Sequence, residues 1–273
     1  MIVDFHTHIF PDKIAQSTIS ALQAKSSSIA QTDGTVDGLL QHMQKAGVSL
    51  SVTLPVLTKP TQFDSVVKFA ILVNERFANS ESKLISFAGI HPACDNIPEK
   101  MRLIKNSEFK GVKIHPDYQS TFIDDEGYLQ ILKSAKDNDL IVVTHAGVDN
   151  AYIGQPVKCP PQLCEKVIKT VNHDKFILGH FGGHLQWQEV FECIAGKNVY
   201  LDTAYTLHEI DSSLFKKILS KHGEDKVLFA TDCPWCNMNE YIKIINSFNL
   251  DKETQDKIFY KNALKLLNME NLL

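Results

Sequence analysis

Ile2-Val3-Asp4-Phe5-His6-Thr7-His8 opens the chain, and the fold turns on how it is read: a short apolar run that ends on two histidines one residue apart. Seven further short apolar runs follow, at residues 50–54, 84–90, 111–114, 140–144, 176–179, 199–201 and 227–230. Between them lie stretches of helical period at 36–46, 63–79, 128–138, 161–171, 185–195 and 214–221, with 241–248 and 252–267 after the last run. Strands that alternate with helices in this way predict repeated βα units and a parallel sheet.

What each run ends on selects the architecture. The exits read His6-Thr7-His8, Thr53-Leu54-Pro55, His91-Pro92, His115-Pro116, His145-Ala146-Gly147, His180-Phe181-Gly182-Gly183-His184, Asp202-Thr203 and Thr231-Asp232-Cys233. Seven of the eleven histidines stand at these exits, far more than scattered loop histidines would give. In a (β/α)8 TIM barrel all strand exits surround one mouth, where the active site is built, so residues distant in sequence converge there. The expectation is a single barrel domain over residues 1–273, a length suited to a core that needs about 250 residues. Residues 9–48, with a helix candidate at 12–24, are expected to cap the mouth, and the long loop 148–160 to reach substrate.

Composition restricts the partners. At 44% hydrophobic and 22% charged the chain can bury a large core, and its net charge of -4 comes without any dense basic run. That excludes the electrostatic footprint of a nucleic-acid partner and leaves a small-molecule substrate. No basic start precedes an apolar stretch, and nowhere do about 18 apolar residues run together, which predicts no membrane span and a cytoplasmic protein. A homo-oligomer is compatible with this composition. The six cysteines read as free thiols, and Arg76 and Arg102 are the only arginines to hold a substrate carboxylate.

Period-2 alternation on the first strand would place Asp4, His6 and His8 on one face, with both imidazoles on one divalent metal ion. His145 and Asp232 complete three nitrogens and one carboxylate, the set of a catalytic site with an open position. Zinc suits it first, with nickel, cobalt, manganese or iron tolerated. Asp4 either orients a ligand histidine or bonds within the barrel floor. His91 and His115 either line the pocket or mark strand ends before proline, and Trp235 is placed to touch substrate. His184 reads as turn and helix start after Gly182-Gly183. His42, His173, His208 and His222 are expected in solvent.

Asp4-Phe5-His6-Thr7-His8, Gly111-Val112-Lys113-Ile114-His115-Pro116, Thr144-His145-Ala146-Gly147, Gly179-His180-Phe181-Gly182-Gly183 and Ala230-Thr231-Asp232-Cys233-Pro234-Trp235 together resemble the amidohydrolase superfamily. Within it they are similar to the amidohydrolase-related branch that includes aminocarboxymuconate-semialdehyde decarboxylase. The resemblance implies a barrel, His6, His8, His145 and Asp232 as ligands of one ion, and His180 beside the reacting group. It also raises a second ion, held by Lys113, His145 and His180, with Lys113 carboxylated. The first functional expectation is hydrolysis of a small amide, lactone or ester, with Asp232 as base and His180 as oxyanion partner. The alternative is non-hydrolytic decarboxylation of an unsaturated or aromatic acid; the scarcity of arginine weighs slightly against it, because Lys113 and Lys158 are the cations left to hold a substrate carboxylate. A third reading is a thiol-redox or metal-responsive protein built on Cys233 and Cys236.

Overall fold

Every apolar run forms a strand, and the 84–90 run forms two. The computed structural model describes residues 1–78, 80 and 83–272, so the expected helix end at Asn79 lies outside the described residues. The strands are β1 (Val3–Thr7), β2 (Leu50–Thr53), β3 (Lys83–Ser86), β4 (Ala88–Gly89), β5 (Gly111–Ile114), β6 (Ile141–Thr144), β7 (Phe176–Leu178), β8 (Tyr200–Asp202) and β9 (Val227–Leu228). All neighbours pair parallel, in the orders β1-β2-β3 and β4-β5-β6-β7-β8-β9. β3 and β4 are one stave interrupted at Phe87, whose N–H still reaches the Thr53 carbonyl at 2.9 Å. The ring closes where the last stave meets the first: Phe5 N–H donates to Phe229 O and Asp232 N–H to His6 O, both at 2.9 Å. Eight parallel staves closed in this way form a (β/α)8 barrel.

The helices are α1 (Asp12–Ser26), α2 (Val36–Ala46), α3 (Phe63–Phe77), α4 (Ile97–Asn106), α5 (Glu126–Asp137), α6 (Pro161–Val171), α7 (Trp187–Cys193), α8 (Ser212–His222), α9 (Met238–Ser247), α10 (Lys252–Asp256) and α11 (Asn262–Leu267). Their ends follow local chemistry. Thr35 caps α2 by accepting from Gly38 N–H, and Gly47 ends it at φ 70°; Asp125 and Asp211 cap α5 and α8 in the same manner. α4 was absent from the sequence expectation, although Ile97, Met101 and Ile104 bury one helical stripe. The expected 252–267 helix is broken by a π turn at Lys257–Lys261, which leaves the Ile258 carbonyl to accept from Phe229 N–H at 2.8 Å.

Packing separates two layers. Phe5, Phe87, Ile141, Val143, Ile177 and Leu228 pack together with Leu264 and Leu267 of α11. Val112, Ile114, Val142, Leu178 and Leu201 pack in the layer that includes Ile131 of α5 and Val167 of α6. The strands are thus apolar on both faces, as a parallel sheet covered by helices requires. Polar side chains gather at the exits, with Asp4, Ser51 and Lys113 buried inside strands. No helix among the described residues is long and apolar enough to cross a membrane.

Candidate metal and active site

β1 does not alternate strictly. Its pairing with β2 slips by one residue between Asp4 and Thr7, so Asp4 is not delivered to the same place as His6. Asp4 accepts instead from Thr231 N–H (3.0 Å), Thr231 Oγ1–H and His6 N–H (3.2 Å), tying the first stave to the last. Of its two expected roles, the floor hydrogen-bonding one is observed; burial pushes its carboxyl up to about 7.

His6, His8 and Asp232 converge, with donor atoms within 4.8 Å of one another. Asp232 Oδ1 lies 3.0 Å from His8 Nε2 and 3.6 Å from His6 Nε2. Each ring's other nitrogen is committed: His6 Nδ1 donates to Asp202 Oδ2 and His8 Nδ1 to the Leu54 carbonyl, both at 2.8 Å. That fixes both tautomers with Nε2 turned towards Asp232, the outer-sphere pattern that holds ligand histidines. Burial favours the neutral form of His6, which a metal ligand needs. Burial alone would raise the Asp232 carboxyl, but the His8 hydrogen bond and the neighbouring imidazoles outweigh it and hold the group below the usual carboxylate range. Asp232 also sits at φ 67° and His180 at φ 57°, left-handed conformations that non-glycine residues adopt where structure imposes them. The donor set therefore fits a divalent cation.

Asp202 is the residue that sequence reasoning passed over. Its Oδ2 holds His6, while Oδ1 accepts from the His180 and Ala204 N–H groups at 3.0 Å each. One carboxylate thus sets both the ligand histidine and His180, whose Nδ1 donates to the Ala204 carbonyl at 3.0 Å and leaves Nε2 free. We expect Asp202→Asn to weaken metal affinity by roughly 10–100-fold, the usual cost of losing such a partner; titration against a competing chelator measures it.

His145 packs against His115 and His180, and Lys113 reaches His6. The His145 ring stacks on His115 (4.4 Å), and its donor atom lies within 4.8 Å of donors from His115 and Asp149. Its Nε2 is buried without a hydrogen-bond partner, as is Oδ2 of Asp117, 3.9 Å away. Lys113 is 1% exposed, and its Nζ lies 2.9 Å from His6 Nε2. Burial lowers this ammonium from 10.5 to about 8, against the pull of Asp202 and Asp232.

These groups floor a cavity of about 560 Å³. Phe10, Ile14 and Leu22 from the first loop and α1 face Val66 and Phe69 of α3 across it, with Tyr118, Tyr205 and Trp235 on the walls. Among the described residues Lys113 is the only lysine or arginine that lines it. Lys158, expected as a second cation, sits over the Phe122 ring (4.5 Å) instead. Lys25 lies over Tyr152 at 3.7 Å and so fastens the end of α1 to the 148–160 loop.

Family-level comparison gives the same frame: the model of the amidohydrolase family described as "Amidohydrolase" matches residues 3–269. The chain belongs to the amidohydrolase family. No curated protein matches it in sequence. Solved structures that resemble this amidohydrolase include a 2,6-dihydroxybenzoate decarboxylase from Rhizobium, with 15% identity, a TM-score of 0.68 and coverage of 98% of this chain and 99% of that one. A dihydroxybenzoic acid decarboxylase from Polaromonas with bound manganese and 2-nitroresorcinol is 15% identical (TM-score 0.71, 98% and 97% covered). A 5-carboxyvanillate decarboxylase from Novosphingobium aromaticivorans, complexed with manganese and 4-hydroxy-3-methoxy-5-nitrobenzoic acid, is 13% identical (TM-score 0.72, 98% and 96% covered). At such identities the likeness is one of fold.

His6, His8, His115, His145, His180, Lys113, Asp232 and Trp235 all line the cavity of this amidohydrolase. His91 does not: its Nδ1 accepts from Ala93 N–H at 3.1 Å, so it closes a strand-end turn. His184, read as turn only, does line the cavity. His173 is buried rather than solvated, with Nε2 on the Leu140 carbonyl. All six cysteines are free, and burial pushes the Cys233 and Cys236 thiols well up, the opposite of a reactive dithiol. Gly147 (φ +85°) presses on the backbone beneath His184: a Cβ there would stand 2.1 Å from His184 N. Gly147→Ala should cost at least about 2 kcal/mol of stability, seen as a lowered Tm in thermal denaturation.

Proposed function

We propose that this amidohydrolase-family chain is a metal-dependent, non-hydrolytic decarboxylase of a small unsaturated or aromatic carboxylic acid. The observation that carries the reading is Lys113, a buried ammonium beside the His6, His8 and Asp232 donors and the sole lysine or arginine lining among the described residues of an otherwise largely apolar and aromatic cavity. A flat anion suits that combination; a neutral amide or lactone leaves the buried charge unpaired, which costs several kcal/mol. Decarboxylase chemistry among the structural relatives supports the same choice.

His6, His8 and Asp232 would hold the cation, with His145, whose buried Nε2 lacks a partner, as the fourth donor. When bound, the ion supplies Lewis-acid polarisation of a substrate oxygen; zinc suits the donor set and manganese occupies two of the relatives. Lys113 binds the carboxylate. As the carbon–carbon bond breaks, its electron pair stays on the ring or alkene carbon, carbon dioxide leaves, and that carbon takes a proton. The acid enters as its anion, so that proton comes from solvent; Asp232, ionised at rest, can deliver it only after first taking it up. His180, fixed through Nδ1, presents Nε2 to the same place. We further propose that residues 9–48 act as a cap, since α1 walls the mouth.

Hydrolysis of an amide, lactone or ester is the second reading, favoured by one observation: a carboxyl held as low as Asp232 is a better base than acid. Incubating the metal-loaded protein with a panel of lactones, amides and aromatic acids separates the two. Carbon dioxide from an aromatic acid is expected; release of acid from lactone or amide, without carbon dioxide from any acid, overturns the reading.

A further inference from the structure

Asp117 and His145 each keep one unmet polar atom, and the two atoms face one another. Both side chains are buried, Asp117 to 2% exposure, and neither Asp117 Oδ2 nor His145 Nε2 has a hydrogen-bond partner among the described residues. They lie 3.9 Å apart, about 1 Å beyond hydrogen-bond length. A buried carboxylate oxygen left unpaired is costly, and an apolar residue at this position would avoid the cost. Asp117 is not among the residues that line the cavity, whereas the His145 ring in front of it is. The partner that Asp117 lacks is therefore the histidine and not a molecule that enters.

The turn that carries Asp117 is firmly held. Gln119, itself buried, donates through Nε2 to the Leu57 and Ile90 carbonyls (2.9 and 2.7 Å), and its Oε1 accepts from His115 N–H (3.0 Å) and Tyr128 O–H (2.7 Å). Ser120 N–H closes the turn onto the Asp117 carbonyl at 3.2 Å. The carboxylate is thus tied to the exits of three staves, and what can close the gap is the ring, which rests on His115 at 4.4 Å and against His180 at 4.5 Å. Histidine contacts of this kind are often long in an empty site and tighten when it fills. A comparable carboxylate already serves the first stave: Asp202 accepts from His6 Nδ1–H and leaves Nε2 for a cation.

We propose that Asp117 positions His145 for the cation by accepting a hydrogen bond from Nε2–H, which fixes the tautomer whose Nδ1 carries the lone pair. The inference rests on His145 as the fourth donor in the reading above. Asp117 touches neither ion nor substrate; it acts through the ring, and a neutral imidazole held by a carboxylate is the more basic ligand.

Zinc titration against a competing chelator tests this without any substrate. Asp117→Leu, which removes the acceptor, should bind zinc roughly 10–100-fold more weakly than wild type, the range that loss of such a partner gives. In a His145→Ala background the same substitution should change nothing further, because the carboxylate acts through that ring. Asp117→Asn keeps an oxygen in place and should still lose at least about threefold, since an amide accepts more weakly than a carboxylate; against the same background it is the decisive variant if the leucine does not fold. Wild-type affinity in the variant that folds overturns the assignment. So does a loss that persists undiminished in the His145→Ala background, which would mean that Asp117 supports the barrel and not the ligand. Zinc binding by His145→Ala as tight as that of wild type overturns instead the fourth-donor reading beneath it.

Discussion

Asp232→Asn is expected to fold as wild type does and to turn substrate over at least about a thousandfold more slowly, within the range that loss of a positioned proton-transfer group gives. The substitution preserves shape: Asp232 N–H would still donate to the His6 carbonyl, and the residue's left-handed backbone is one that asparagine also adopts readily. What it removes is charge. The carboxylate that lies 3.0 Å from His8 Nε2 and 3.6 Å from His6 Nε2 becomes an amide without negative charge for a cation or affinity for a proton. Single-turnover rates with metal content measured in parallel separate loss of the ion from loss of proton transfer. A rate near wild type would show that Asp232 does neither.

Lys113→Met is the second large effect, and its sign differs between function and stability. For a carboxylate substrate, removing one partner of a buried charge pair costs about 2–5 kcal/mol, so kcat/KM should fall by roughly thirtyfold to several thousandfold. The neutral amide of the same acid should bind both proteins alike. Stability should not fall: the ammonium is 1% exposed, burial already drags it from 10.5 to about 8, and methionine fills similar volume without desolvating a charge. Equal kcat/KM in the two proteins, with a lowered Tm for the variant, would mean that Lys113 supports the barrel floor and not the substrate.

The barrel was legible because each exposed-chemistry residue follows an apolar run too short for a helix, and because His6, His8, His145, His180 and Asp232 share that position although they come from four staves. Where sequence reasoning failed, the cause was a contact that no local pattern encodes. Asp202 looks like any polar strand end; its importance lies in His6, 196 residues away. Asp4 was placed beside His6 by alternation, and a one-residue slip in β1 removes it. His91 and His115 are both followed by proline, yet one turns back onto Ala93 while the other stacks on His145. Gly182-Gly183 was rightly read as a turn, with Gly182 at φ +85°, but that turn is what carries His184 back to the wall. Lys158 and Lys113 could not be ranked as cations until packing put one over Phe122 and the other inside. Chemistry at the exits was readable; second partners and side-chain direction were not.

The central claim is that a divalent cation is gripped at the end of the first stave. Anomalous scattering from crystals grown with manganese tests it most directly: the account predicts a peak bounded by His6, His8, His145 and Asp232, with the His145 ring turned from its stack on His115 to reach it. A peak bounded instead by His115, His145 and Asp149, or no ordered ion in protein that retains turnover, would contradict it.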